Sequence, residues 1–355
     1  MIKLRWAQRV QARIGPIIGF LPEQVQRRLA GPPITIDGAT LAPDMQILLK
    51  ALERRGGILD ESPGRLRRRQ AIGAIVANGA PVHIAGFRDL EVDGLRARHY
   101  ANAKDAPLVV FLHGGGFVFG DLETHDRLCR MLCKHAGVHV LAIEYRLAPE
   151  FPFPAGVEDA DRAWKWARKH AHELGADPTR IAIAGDSAGG NLSTVTAQTY
   201  AGTPDAPIGQ LLIYPAVDYE GAYSSKELFA EGFFLTRAAS AWFREQYVET
   251  AGDHDANDVR HRPMAAKSFA KQPPAIVVTA GFDPLRDEGE AYAAALAKHG
   301  TPVVVRRFPG LIHGFANMTG VSRSANEAVL EIAGMLRMLV AKRSSTSAPA
   351  LQLLG

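Results

Sequence analysis

Six short apolar runs, each tied to a helical stretch, constrain this chain more than any other feature. The runs occupy residues 108–112, 138–144, 180–185, 209–214, 275–280 and 302–308. Several are apolar on successive residues rather than alternate ones, as in strands covered on both faces of a parallel sheet. Helical stretches at 122–136, 157–174, 188–200, 286–299 and 324–340 lie between or after them. Ahead of these, 84–92 and 95–101 flank Asp93-Gly94, a two-residue turn signal that predicts an antiparallel hairpin. The expected fold class is α/β, with a mostly parallel central sheet, helices on both faces and a hairpin at its start.

Two regions break the alternation. Residues 1–80 read as helices, with a basic knot at 65–69 and Gly31-Pro32-Pro33 as a break. Residues 217–262 are too long for a simple crossover and carry Gly232-Phe233-Phe234-Leu235 and Trp242-Phe243. The expected organisation is a core of 81–216 and 263–343 with a helical cap of 1–80 and 217–262 over one end of the sheet. Residues 344–355 are expected to form a disordered tail.

Composition matters mainly for what it excludes. With 47% hydrophobic and 22% charged residues, the chain is neither a rod nor disordered over most of its length. The net charge of +4 is unevenly spread: residues 1–70 carry +7 and the remainder −3. The basicity is thus local, and no aromatic-interleaved basic stripe lies elsewhere, which argues against nucleic acid as a partner. The uncharged run 70–87 is broken by Asn78, Gly79, Pro81 and His83, so no membrane span is expected there. The apolar stretch 14–22 is too short and too rich in Gly and Pro for a secretory signal.

Cys129 and Cys133 sit one helical turn apart, as core residues suited to a reducing cytoplasm. His125 joins them at four-residue spacing, and soft and borderline ligands of this kind raise the idea of a metal. Two turns of helix hold the ends too far apart for one ion, and Leu128, Met131 and Leu132 mark a packed helix. No metal is expected.

The chemistry is carried by motifs directly after strands. Gly185-Asp186-Ser187-Ala188-Gly189 joins a strand to a helix, where small residues permit the tight turn that exposes a nucleophilic serine. The helix N-terminus behind it offers free N–H groups to a developing oxyanion. His113-Gly114-Gly115-Gly116 also follows a strand, and the N–H groups of Gly114 and Gly115 with that of Ala188 are the predicted oxyanion hole. The glycines have neither the lysine nor the spacing of a phosphate loop.

A serine nucleophile needs a base and an orienting acid, which in such folds follow it on loops after later strands. Asp283, in Gly281-Phe282-Asp283-Pro284, follows the next-to-last strand, while Asp287 and Glu288 fall on the succeeding helix. Only His299 and His313 come after Asp283. His299 precedes Gly300 at a helix end, whereas His313 follows the last strand. Ser187, Asp283 and His313 are the predicted nucleophile, acid and base.

These motifs, together with Tyr145-Arg146-Leu147-Ala148-Pro149-Glu150, Asp283-Pro284-Leu285-Arg286-Asp287 and His313-Gly314-Phe315, resemble the hormone-sensitive-lipase family of α/β-hydrolases. That group contains many bacterial carboxylesterases. The resemblance spans roughly residues 41–340. It implies an α/β-hydrolase fold with a helical cap, and hydrolysis of short- to medium-chain carboxylic esters through an acyl-enzyme without a cofactor. It implies the triad and oxyanion roles given above, a loop-shaping role for His113, and a subgroup with an acid, here Asp186, before the nucleophile. Residues 1–31, with six bases against Glu23, exceed the cap usual in the family.

Other activities fit the same residues: a long-chain lipase, an amide hydrolase or deacetylase, or a non-catalytic receptor, although receptors on this fold lack the complete triad. Phe117, Phe119, Phe233, Phe234 and Phe315 are candidates for an apolar acyl pocket, with core packing as the alternative. The expected partner is a small-molecule ester or lipid. Ile2, Leu4, Trp6, Val10, Ile14, Ile17 and Ile18 alternate with bases, so the start is either a solvated cap helix or a peripheral membrane contact for an otherwise cytoplasmic protein.

Overall fold

The computed structural model describes residues 15–53, 62–252 and 255–341. The expected tail at 344–355 and residues 1–14 of the basic start lie outside the described residues. A short ribbon pairs β1 (Thr35–Ile36) with β2 (Ala39–Thr40). The main sheet has eight strands: β3 (Gly86–Val92), β4 (Leu95–Ala101), β5 (Ala106–Leu112), β6 (His139–Glu144), β7 (Ala176–Asp186), β8 (Gln210–Ile213), β9 (Ala275–Phe282) and β10 (Val303–Ile312). Their order is β10-β9-β8-β7-β5-β6-β4-β3, parallel throughout except that β4 runs antiparallel to β3 and β6.

All six predicted runs are strands, and the hairpin forms as expected. Val92 pairs with Leu95 across Asp93 (φ 48°) and Gly94 (φ 82°), the two positive φ values that a tight hairpin turn demands. The helices used below are α1 (Glu23–Ala30), α2 (Pro43–Glu53), α3 (Pro63–Asn78), α4 (Asp126–Ala136), α5 (Ala155–His170), α6 (Ala188–Thr199), α7 (Ser224–Leu228), α8 (Arg237–Tyr247), α9 (Arg286–Lys298) and α10 (Arg323–Leu339).

Alternate residues of each central strand enter different cores, which explains the unbroken apolar runs. Val109 and Phe111 of β5 pack with Leu128, Leu132, Val329 and Ile332 of α4 and α10. Leu108, Val110 and Leu112 pack with Ala163, Trp164 and Leu192 of α5 and α6. A residue buried on either face has no reason to alternate with polar neighbours.

From β5 the chain steps to β6 on one side and then crosses to β7 on the other. Parallel strands point the same way, so the loops after β5, β7, β9 and β10 gather at one end, beside the reversal in strand order. The segment after β8 is held at both ends: Asn191 Nδ2 donates to Ala216 O (2.7 Å) and to His261 O (3.0 Å). On the N-terminal side, buried Asp44 of α2 accepts from Ser322 Oγ (2.7 Å) and from Ser324 N and Oγ (2.9 Å each). A carboxylate at the N-terminus of α10 is favoured there by the helix dipole.

Candidate active site

Ser187 is the hinge between β7 and α6. Its backbone (φ 54°, ψ −119°) lies where L-residues rarely sit, a strain held by the packing around it. That packing leaves no room for side chains: a Cβ on Gly185 would come 2.2 Å from Gly189 O, and one on Gly189 would come 1.9 Å from Leu112 O. The Ser187 N–H donates to Ile213 O at 2.9 Å, fixing the turn against β8.

The structure brings the three predicted residues into one line. His313 Nε2 is 2.9 Å from Ser187 Oγ, and His313 Nδ1 is 2.8 Å from Asp283 Oδ2. Asp283 is fully buried, and its Oδ1 accepts from Leu285 N at 2.8 Å, so the carboxylate has one orientation. A carboxylate only accepts, so it fixes the proton on Nδ1 and leaves Nε2 to accept from the serine hydroxyl. Tyr214 packs against the imidazole with ring centres 4.7 Å apart.

The glycine loop differs from expectation in one donor. Gly114 N–H donates to Asp186 Oδ1 at 2.9 Å and is therefore not free for a substrate oxygen. Among the described residues no acceptor engages the N–H groups of Gly115, Gly116 or Ala188, and all three residues line the same cavity. The sequence could not distinguish the three glycines, because the discriminating carboxylate reaches across from the neighbouring strand.

Asp186 is the centre of a buried network. Tyr214 OH (3.3 Å) and Asn317 Nδ2 (3.0 Å) donate to its Oδ2, and His125 Nε2 lies 3.3 Å from Oδ1, off the hydrogen-bond line. Burial opposes its charge, but His125 and the Gly114 N–H outweigh that and hold the carboxyl below the usual range. His125 thus serves the loop, while Cys129 and Cys133 are buried free thiols on α4. His113 shapes the loop from below: Nδ1 donates to Gly114 O (2.9 Å) and its ring stacks on Tyr145. Burial, reinforced by His125, pushes its imidazole down to about 4, so it stays neutral.

Arg67 of α3 was not singled out by sequence. Its Nε donates to Val118 O (2.7 Å), its Nη2 to Ala148 O (2.8 Å), and the fork pairs with Glu150. It fastens an N-terminal helix to the segment just after the glycines.

The site opens into a cavity of about 900 Å³. Ser187, His313 and the glycine loop form one part of its wall, α2 and α3 another, and α8 with the residues before it a third. Phe117, Phe119 and Phe234 border it. Phe233 and Phe315 do not, correcting the expectation for them. Phe233 packs on Phe229 and Phe282, and Phe315 packs on Tyr214 and Phe308, all in the core. Phe234 has a positive φ (74°), which turns it the opposite way from its buried neighbour. Among the described residues no helix is long and apolar enough to cross a membrane.

A family model described as alpha/beta hydrolase fold matches residues 109–317. The carboxylic ester hydrolase LipN of Mycobacterium tuberculosis is 40% identical over 354 residues, covering 94% of this chain and 93% of the relative. The ethyl acetate hydrolase of Pseudomonas putida is 34% identical, with 84% of this chain and 99% of the relative covered. Among solved structures, an ester-hydrolase from the metagenome of Lake Arreo, complexed with a bipyridine phosphonate derivative, matches with a TM-score of 0.80 and 37% identity. That match covers 84% of this chain and 98% of the other.

Proposed function

The chain belongs to the hormone-sensitive-lipase type of the α/β-hydrolase family and is a carboxylic ester hydrolase; we propose that Ser187, His313 and Asp283 carry the reaction, on short- to medium-chain acyl esters. The observation that carries this reading is the unbroken line from Ser187 Oγ through His313 to Asp283, with contacts of 2.9 and 2.8 Å. His313 Nε2 takes the serine proton as Oγ attacks the ester carbonyl, and Asp283 orients and stabilises the resulting imidazolium. The oxyanion is received by the N–H groups of Gly115, Gly116 and Ala188, in place of the set that includes Gly114. Each such donor is typically worth about 10²–10³ in rate. The alcohol leaves with the proton from His313, and a water activated by the same nitrogen then releases the acid from Ser187.

Residues 1–80 and 217–262 act in this reading as a cap on the core of 81–216 and 263–343. The cavity volume of about 900 Å³ lies in the upper part of the ~300–1,000 Å³ usual for small-molecule sites. That supports an acyl chain longer than acetyl. The test is hydrolysis of p-nitrophenyl esters from acetate to palmitate. Turnover should peak on short or medium chains, be lost in Ser187→Ala, and drop about 10⁴-fold in kcat in Asp283→Asn. Undiminished turnover in Ser187→Ala would refute the assignment.

A second reading concerns a surface. Ile17, Phe20, Val25 and Leu29 are exposed within thirteen residues of chain, next to Arg27 and Arg28. Apolar side chains rimmed by bases suit the interface of an anionic membrane, and co-sedimentation with vesicles measures it.

A further inference from the structure

Resting on the ester-hydrolase reading, we infer that one face of α3 gauges the length of the acyl chain and that Gly73 is the residue that keeps this arm of the cavity open. Gln70, Gly73, Ala74 and Ala77 recur at three- and four-residue spacing, so they share a face of the helix. All four line the cavity that contains Ser187.

Gly73 sits in the helix interior, where glycine is less favourable than alanine. Neither usual reason for a glycine applies. Its φ is not among the positive values, and a Cβ built on it meets no atom of the described residues within 4 Å. Among the described residues no neighbour demands its smallness. The space it leaves belongs to the cavity.

Beside His313, a Cβ on Gly314 would lie 3.1 Å from the Phe234 ring and 3.7 Å from Met318 Cε, and both side chains line the same cavity. Leu48 and Leu52 of α2 line the cavity as well. The apolar side chains of Leu48, Leu52, Ala74 and Ala77 with the space over Gly73 suit a flexible hydrocarbon chain, and the depth at Gly73 sets how many methylenes fit. A leucine there fills the arm and leaves Ser187, His313 and the N–H donors as they are.

The experiment compares wild type, Gly73→Leu and Gly73→Ala on p-nitrophenyl acetate, butyrate, octanoate and decanoate, with melting temperatures taken on the same samples. In Gly73→Leu, kcat/KM on decanoate should fall by about 10–200-fold, the range for a misfit of one or a few methylenes. Acetate should stay within about twofold, and Gly73→Ala should lie between. Leucine is the better helix former, so the variant should fold at least as well. If it does not, Ala74→Leu on the same face is read in the same way. A folded leucine variant with the wild-type chain-length profile overturns the inference, as does a wild type confined to acetate. A wild type that hydrolyses no ester overturns the functional reading instead.

Discussion

Glu288→Gln should make the protein progressively more stable relative to wild type as pH rises. Glu288 lies on α9, 1% exposed, away from the reacting groups. Its Oε1 accepts from Val217 N (2.7 Å) and Asp218 N (3.0 Å), where the chain leaves β8, and Lys226 Nζ is 3.2 Å from Oε2. Burial outweighs Lys226 and the two N–H donors and pushes the carboxyl from its ordinary 4.5 up to about 7. Below pH 4.5 the group is protonated whether the chain is folded or not, and its charge has no effect. Between 4.5 and about 7 the folded protein keeps a proton that the unfolded chain releases, so stability falls as pH rises. At about 1.4 kcal/mol per pH unit, the deficit above pH 7 amounts to roughly 3 kcal/mol.

Glutamine retains an oxygen for the two N–H groups and carries no charge. Lys226 keeps the carbonyls of Asp218, Tyr219 and Gly221. The assay is urea unfolding of both proteins at pH 4.5, 5.5, 6.5 and 8. Every other titrating group is common to the pair, so the difference isolates this one. The variant should gain about 3 kcal/mol on wild type across that range. Parallel curves, or a variant that loses ground as pH rises, would show that Lys226 outweighs burial.

Two further outcomes follow from the N-terminal helices. Arg67→Met should lower kcat about 10–100-fold with little change in KM, because a loosened glycine loop misplaces donors that act in the transition state; Arg67→Lys should restore part of it. Steady-state kinetics with both variants checks this, and an unchanged kcat would refute it. The protein should sediment with anionic vesicles and not with zwitterionic ones, and lose that binding in high salt or on removal of residues 1–30. Equal binding by the truncated protein would end the membrane reading.

Much of the site was legible because its parts are local. Ser187, Asp283 and His313 each follow a strand that its own sequence marks, and strand ends that point the same way must meet. What was illegible depends on partners distant in the chain. Gly114 and Gly115 look alike in sequence, and only the Asp186 carboxylate, 72 residues on, takes the N–H of the first. Phe233 and Phe234 are adjacent and chemically identical, and backbone direction alone sends one to the core and the other to the cavity. Arg67 stood in the basic knot at 65–69, where nothing local sets it apart from its neighbours. Its acceptors are backbone carbonyls 51 and 81 residues away, which no sequence pattern marks.

The bond between Asp44 and Ser322 spans 278 residues. At about 5–20 residues per second of synthesis, α2 emerges roughly 15–55 s before its anchor exists. During that interval Leu48 and Leu52 have no complete cavity to line. The net charge of +7 on the first 70 residues opposes self-association of these waiting helices through mutual repulsion. The substrate cavity is therefore among the last features to exist, although part of its wall belongs to the first helices made.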